Sequence, residues 1–207
     1  MDIRKLATLN SYEVSALQYA KNTEHLHPEE QAQKFLGMLP RPAKIIDIGC
    51  GPGRDAKIFS AMNLDVVGID FSSKMIEVAK ENLPSCSFHV MDIESLKFPP
   101  ETFNGAWANC SLLHIPKKNI PRVLHKIYQI LKQKGFLYIS VKQNSIDEIL
   151  AQDFRYGGLE KFWSFFEQDE LTNLLSNAGF FILDTLIFNK NNDYQTHPLI
   201  SVFAQKY

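Results

Sequence analysis

Cysteine is scarce in this 207-residue chain, with three in all: Cys50, Cys86 and Cys110. They lie far apart, are odd in number and form no C-x-x-C pair, so neither a disulfide framework nor a structural zinc site is expected. That usage fits a reducing compartment, and the cytoplasm is the expected location. Long apolar runs are missing as well. None reaches the roughly 18 residues of a membrane helix, residues 1–9 hold no signal-peptide core, and no membrane partner is expected. Charge of one sign is also lacking: 22 Lys and Arg stand against 23 Asp and Glu, a net −1 with histidine neutral. Without a basic excess the chain is not expected to bind nucleic acid. Ten glycines and ten prolines are too few for a collagenous or low-complexity chain. No Asp/Glu cluster has metal-ligand spacing, so no metal is predicted.

What remains is a globular composition, 45% hydrophobic and 22% charged, at a length that suits one domain. Lys44–Ile48 is a short apolar run stopped by glycines and reads as a buried strand. Helical spacing follows over residues 54–62, then a β-branched strand over 64–69. Ser72 suits the N-cap of a helix ending near Asn82, with Met75, Ile76 and Ala79 on its inner face. Residues 87–91 and 105–109 read as the third and fourth strands. Residues 120–132 form an amphipathic helix stopped by Lys134-Gly135. A fifth strand spans 136–141, a helix spans Gln168–Asn177, and two late strands cover Phe180–Phe188 and residues 199–205. With no helix between them, these two pair antiparallel.

Alternating strands and helices imply βαβ units and a parallel sheet covered on both faces. Two stretches stand outside the alternation. Before Pro42, residues 12–22 and 29–39 read as helices. Residues 143–167 carry few regular signals and many aromatics. Both are candidate covers for a site at the carboxyl ends of the strands, where open α/β sheets bind ligands.

The sharpest motif is Asp47-Ile48-Gly49-Cys50-Gly51-Pro52-Gly53, between the first strand and its helix. Glycines there permit a tight turn and a close backbone approach to a ligand. A dinucleotide fingerprint needs Gly or Ala six positions from Gly49, where Arg54 stands, and a phosphate loop needs Gly-Lys-Ser/Thr, which is absent. Asp70 ends the second strand, where a carboxylate accepts hydrogen bonds from a ribose diol or caps the following helix. Asp92 follows the third strand beside Ile93; such a pair can hold an adenine amino group and cover the ring.

Taken together, residues 47–53, 66–70, 91–93 and 105–116 resemble the class I S-adenosylmethionine-dependent methyltransferases, over a span from about Lys44 to Gly179. The resemblance implies an α/β, Rossmann-like seven-stranded sheet in the order 3-2-1-4-5-7-6 with the last strand antiparallel. It implies a single domain over 1–207, with a helical lid over 1–41, a core over 42–207 and an acceptor-side insertion at 143–167. Tyr12, Ala16 and Tyr19 resemble the lid pattern Y-x-x-x-A-x-x-Y of small-molecule members. The implied cofactor is S-adenosylmethionine, with S-adenosylhomocysteine as product. Gly49, Cys50, Gly51 and Gly53 would pass beneath its methionine and ribose parts. Asp47 would orient that loop or reach the methionine ammonium through water, and Arg54 would meet the methionine carboxylate. Asp70 would bind the ribose diol, Phe71 would pack on adenine, and Asp92 and Ile93 would frame its edge. Asn109 would offer its backbone carbonyl to the ammonium. Tyr12 and Tyr19 would close over the sulfonium end, which makes Tyr19 a catalytic candidate.

Methyl transfer from a sulfonium needs no acid, and needs a base only if the acceptor arrives protonated. His114, just past the fourth strand, is either that base or a histidine that orders its loop. No Asn/Asp-Pro-Pro-Tyr/Phe motif follows the fourth strand, which speaks against exocyclic base N-methylation, and Cys110 lacks the Pro-Cys setting of cytosine C5 methylation. Lys142, Arg155, Tyr156, Phe162, Trp163, Phe165 and Phe166 either line the acceptor pocket or form a flap over the core. Lining would suit a compact, partly apolar small-molecule acceptor with an anionic group. The chain would act as a monomer or homodimer. The competing readings are a cofactor-binding regulatory module without turnover and a nicotinamide-dependent oxidoreductase.

Overall fold

The computed structural model describes residues 2–189 and 194–207. Two helices open the chain, α1 (Ile3–Thr23) and α2 (Glu29–Met38). The βα alternation then runs β1 (Lys44–Ile48), α3 (Arg54–Ala61), β2 (Asp65–Asp70), α4 (Ser73–Asn82), β3 (Ser87–Val90), β4 (Phe103–Asn109), α5 (Ile120–Ile130) and β5 (Leu131–Lys142). A hairpin follows, β6 (Glu148–Asp153) and β7 (Leu159–Ser164), and then α6 (Gln168–Asn177), β8 (Phe180–Phe188) and β9 (Leu199–Lys206). Seven strands make one sheet in the order β3-β2-β1-β4-β5-β9-β8, and the hairpin stands apart from it. The pairs from β3 through β5 are parallel. Strand β9 enters antiparallel to both β5 and β8. With the hairpin set aside, this is the expected order 3-2-1-4-5-7-6.

Strands buried on both faces separate two apolar layers. Ile45, Trp107, Tyr138 and Phe203 face Phe35 of α2 and Phe59 of α3. Ile46, Ile48, Ala106 and Leu137 face α5 and α6. Trp107 and Tyr138 stack with ring centroids 3.8 Å apart at the centre of the first layer. The capping expected at Ser72 is present, its hydroxyl accepting from Met75 N–H. Among the described residues no helix is long and apolar enough to cross a membrane.

Three elements differ from the sequence expectation. Helix α1 begins at Ile3, capped by the Asp2 side chain on Arg4 N–H, rather than near residue 12. Its buried face is Thr8, Ser11, Ser15, Ala16 and Thr23, while Ile3, Val14 and Leu17 point outward. The hydroxyls of Thr8, Ser15 and Thr23 return to carbonyls four residues back. A helix that buries hydroxyls and exposes aliphatics has no apolar period to detect. The second difference is the hairpin in residues 143–167, whose strands carry too few alternating apolar residues to announce themselves. Its turn passes through Gly157 and Gly158, both at positive φ. The third is the end of α5, which stops at Ile130. The Lys134-Gly135 signal belongs to an irregularity in β5, where pairing jumps from Phe103–Leu131 to Gly105–Phe136.

Helix α2 seats on the sheet through a glycine. A Cβ at Gly105 would lie 2.7 Å from Phe35 Cζ and 2.8 Å from Leu39 Cδ2. Gly105→Ala should therefore push α2 off β4 and lower stability by about 1–3 kcal/mol, the usual cost of overpacking. Urea unfolding of the variant beside the parent checks this, and an unchanged midpoint would refute the seating.

Candidate active site

In a parallel sheet the βα loops leave the carboxyl ends of the strands, and the reversal of strand order between β1 and β4 opens a crevice there. The β1–α3 loop turns through Gly49, Gly51 and Gly53 at φ +71°, +52° and +84°. A side chain at Gly49 would fall inside that of Ser111, so the loop passes directly against the end of β4. The loop is pinned from β2: Asp70 accepts Gly51 N–H at 3.0 Å on one oxygen and Ser72 N–H at 2.9 Å on the other. Burial lifts the Asp70 carboxyl to about 6 against those two hydrogen bonds.

Beneath the loop lies a carboxylate pair. Asp55 is 5% exposed. It accepts Arg54 Nε at 2.6 Å, Trp107 Nε1 at 2.9 Å and Asn109 Nδ2 at 2.8 Å. Burial alone would raise its pKa, but Arg54 and these donors hold it below the usual carboxylate range. Asp47 has no such company. Burial and the neighbouring Asp55 charge push its carboxyl well up, and its Oδ2 is buried with no hydrogen-bond partner among the described residues.

Two cavities meet above this floor. The narrower, about 80 Å³, runs over Gly49, Gly51, Asp70, Phe71, Asp92 and Ile93. The wider, about 540 Å³, is walled by Arg54, Lys142, Arg155, Lys161 and Trp163. Tyr12, Tyr19, Asn109, Cys110 and His114 line both and form the junction. Cys110 holds φ +55°, strained for a residue with a side chain, and its turn brings Ser111 over Gly49.

At the junction both nitrogens of His114 are engaged. Nδ1 stands 2.7 Å from the Phe162 carbonyl and Nε2 stands 2.8 Å from the Tyr12 hydroxyl. A carbonyl only accepts, so Nδ1 carries the proton and Nε2 accepts from Tyr12. Burial, with Lys161 and Lys142 nearby, lowers the imidazole to about 3, so it is neutral across the physiological range. Tyr12 meets Tyr19 edge-on at 5.3 Å, and Phe71 at 6.3 Å.

Most of the residues singled out from sequence converge here. Tyr12, Tyr19, Gly49, Gly51, Asp70, Phe71, Asp92, Ile93, Asn109 and His114 line the narrower cavity, and Arg54 lines the wider one. Three stand back from both walls. Cys50 turns its thiol into the core, so only its backbone serves the loop. Gly53 packs against Ala79 and Phe88, and Asp47 lies under the loop. The aromatic insertion divides: Lys142, Arg155 and Trp163 line the wider cavity, while Phe162, Phe165 and Phe166 are 3% exposed or less and belong to the core. Sequence reasoning missed Lys5, Asp55, Ser111 and Lys161. Lys5 reaches from α1 to Asp92 and, at 2.6 Å, to Glu94. Asp55 follows the glycine loop directly, and that position was the one signal available for it.

The comparisons with known proteins bear on the family and the fold. The family described as "Methyltransferase domain" matches residues 45–135, from β1 through the glycine loop to the start of β5. Phosphoethanolamine N-methyltransferase 3 of Arabidopsis thaliana is 34% identical over 118 residues, 54% of this chain and 24% of that protein. A methyltransferase structure from Methanosarcina mazei superposes with a TM-score of 0.75 at 23% identity, over 87% of this chain and 97% of the other. The 1,6-didemethyltoxoflavin-N1-methyltransferase of Burkholderia thailandensis, with 1,6-didemethyltoxoflavin and S-adenosylhomocysteine bound, superposes with a TM-score of 0.65 at 23% identity, over 94% of this chain and 79% of the other. The chain spans from 24% to 62% of the length of the curated relatives it matches. Residues 45–135 thus carry a methyltransferase domain, and the sheet order and glycine loop around it are those that the resemblance to the class I S-adenosylmethionine-dependent methyltransferases implies.

Proposed function

We propose that the chain transfers a methyl group from S-adenosylmethionine to a small-molecule acceptor. The observation that carries this reading is the junction: one cavity shaped by the glycine loop and Asp70 meets a second, roomier cavity at Tyr12, Tyr19, Asn109, Cys110 and His114. The residues present suit the cofactor. Asp47 Oδ2 is a buried carboxylate oxygen lacking a donor, suited to orient the loop or to reach an ammonium through water. Asp70 retains a second lone pair on each oxygen for the hydroxyls of a ribose. Phe71 offers a ring, and Asp92 with Ile93 an edge, to an adenine. Arg54, one donor already on Asp55, turns the rest of its guanidinium to the cavity and a carboxylate. Gly49, Cys50 and Gly51 hold the loop backbone beneath, and Asn109 brings a carbonyl to the ammonium side.

When bound, S-adenosylmethionine supplies a methyl carbon already activated by its sulfonium, open to in-line displacement. The chain's work is then to hold the acceptor atom about 3–3.5 Å from that carbon and to exclude water. Tyr12 and Tyr19 close the junction from α1. His114, with both nitrogens engaged and a proton affinity too low for a base near neutrality, acts as a positioning residue. Its Nδ1–H on the Phe162 carbonyl fixes the ring, and its Nε2 fixes the Tyr12 hydroxyl.

Three tests follow from these roles. Calorimetric titration with S-adenosylhomocysteine should show saturable binding and NAD none; binding of NAD alone would overturn the reading. Asp70→Ala should weaken S-adenosylhomocysteine binding about tenfold to a hundredfold through lost charge-assisted hydrogen bonds. In the parent the affinity should fall as pH drops below about 6, where Asp70 becomes protonated. Once an acceptor is in hand, Tyr12→Phe and His114→Ala should lower turnover to similar degrees, and kcat at saturating cofactor and acceptor should show no inflection near 6.5 that depends on His114. Such an inflection, abolished by His114→Ala, would restore His114 as the base.

A further inference from the structure

The wider cavity is walled by four cations, Arg54, Lys142, Arg155 and Lys161. Three have carboxylate partners. Arg54 pairs with Asp55 at 2.6 Å. Arg155 and Lys161 share Asp153, at 2.8 and 3.2 Å. Lys142 has neither a carboxylate nor a hydrogen-bond acceptor among the described residues; its ammonium lies over the Trp163 ring, 3.4 Å from the centroid. The two carboxylates facing four cations leave the inner wall with an excess of positive charge. Glu29 and Glu30, the acidic residues on this cavity, are exposed at its rim and sit in the first turn of α2, where a helix N-terminus favours them.

Position adds to charge. Lys142 ends β5, and on the neighbouring strand the junction residues Asn109 and Cys110 pair with Ser140, two residues earlier. The Trp163 ring beneath Lys142 also meets His114 at 4.7 Å, so the unpartnered ammonium stands one side-chain layer from the place where the two cavities join.

We propose that the methyl acceptor carries an oxyanion, a carboxylate or a phosphate, that seats against the Lys142 ammonium with its adjoining group over Trp163. The proposal rests on the methyltransferase reading of the site and names the acceptor class it takes. Burial, together with the Arg155 and Lys161 charges, lowers Lys142 to about 7. An anion at Lys142 reverses that pressure and recharges it. The other groups around it are Cys110 at the end of β4, Asp153, Arg155 and Lys161 of the hairpin, and His197 before β9. Burial and the Lys142 charge lower the His197 imidazole below its ordinary value, and the Arg155 and Lys161 charges are partly answered by Asp153. Anion affinity should therefore fall as pH rises through about 7, as Lys142 discharges.

The test uses the full chain saturated with S-adenosylhomocysteine and titrated by calorimetry with phenylacetate, phenyl phosphate and phenylacetamide. Failure of S-adenosylhomocysteine itself to bind overturns the methyltransferase reading and is seen before any acceptor probe is added. With that complex formed, phenylacetate or phenyl phosphate should bind at least about tenfold tighter than the neutral amide, and the tighter of the two identifies the anion. Lys142→Gln should abolish the preference while leaving S-adenosylhomocysteine binding intact, and Lys142→Arg should keep it. Equal binding of the amide, no binding of either anion, or a preference that survives in Lys142→Gln or vanishes in Lys142→Arg overturns the inference.

Discussion

The Phe162 main chain is gripped from two sides. Its N–H donates to the Thr8 hydroxyl of α1 at 2.9 Å, and its carbonyl accepts His114 Nδ1–H at 2.7 Å. Through that one residue of the hairpin, the first helix, the loop after β4 and the inserted β6–β7 pair are locked together. His114 then returns to α1 through Tyr12, which closes a ring of hydrogen bonds around the junction. Protonation would turn Nε2 from acceptor to donor and reverse its bond to the Tyr12 hydroxyl, which would then have to place its own proton elsewhere. The low proton affinity of His114, a consequence of burial, keeps the ring of bonds in its present sense.

The floor of the site follows a second electrostatic constraint. Two carboxylates, Asp47 and Asp55, lie buried near one another, and only one is fully answered by donors. Asp55 takes Arg54, Trp107 and Asn109. Asp47 is left with an oxygen facing nothing. Burying an unanswered carboxylate oxygen opposes folding unless it is neutral or finds a donor, which agrees with the raised pKa of Asp47.

The sheet was legible in the sequence because its strands are apolar runs punctuated by glycine and by helix caps. KIIDI and the Ser72 cap could be read almost residue by residue. The half of the site built from the β1, β2 and β4 loops was legible for the same reason, since glycine spacing and strand-end aspartates are local signals. The lid was half visible: Tyr12 and Tyr19 stood out, whereas Thr8 and Lys5 did not, because α1 buries hydroxyls against the hairpin and turns aliphatics outward. Lys161 was invisible. A lysine at 1% exposure is held by Asp153 and by three tyrosine rings, Tyr12 and Tyr156 within 4.3 Å of its ammonium and Tyr19 at 5.6 Å. Asp153 and Tyr156 are its near neighbours in the sequence, but Tyr12 and Tyr19 come from α1, and no local window joins them to Lys161.

Helix α1 touches both cavities. Lys5 pairs with Asp92 and Glu94 beside the narrower cavity, Tyr12 and Tyr19 stand at the junction, and Thr8 ties the helix to the strand that carries Lys161 and Trp163. A single helix therefore serves as the common wall of two cavities. Displacing it from the sheet would open both at once, so neither can be unroofed from this side while the other stays closed.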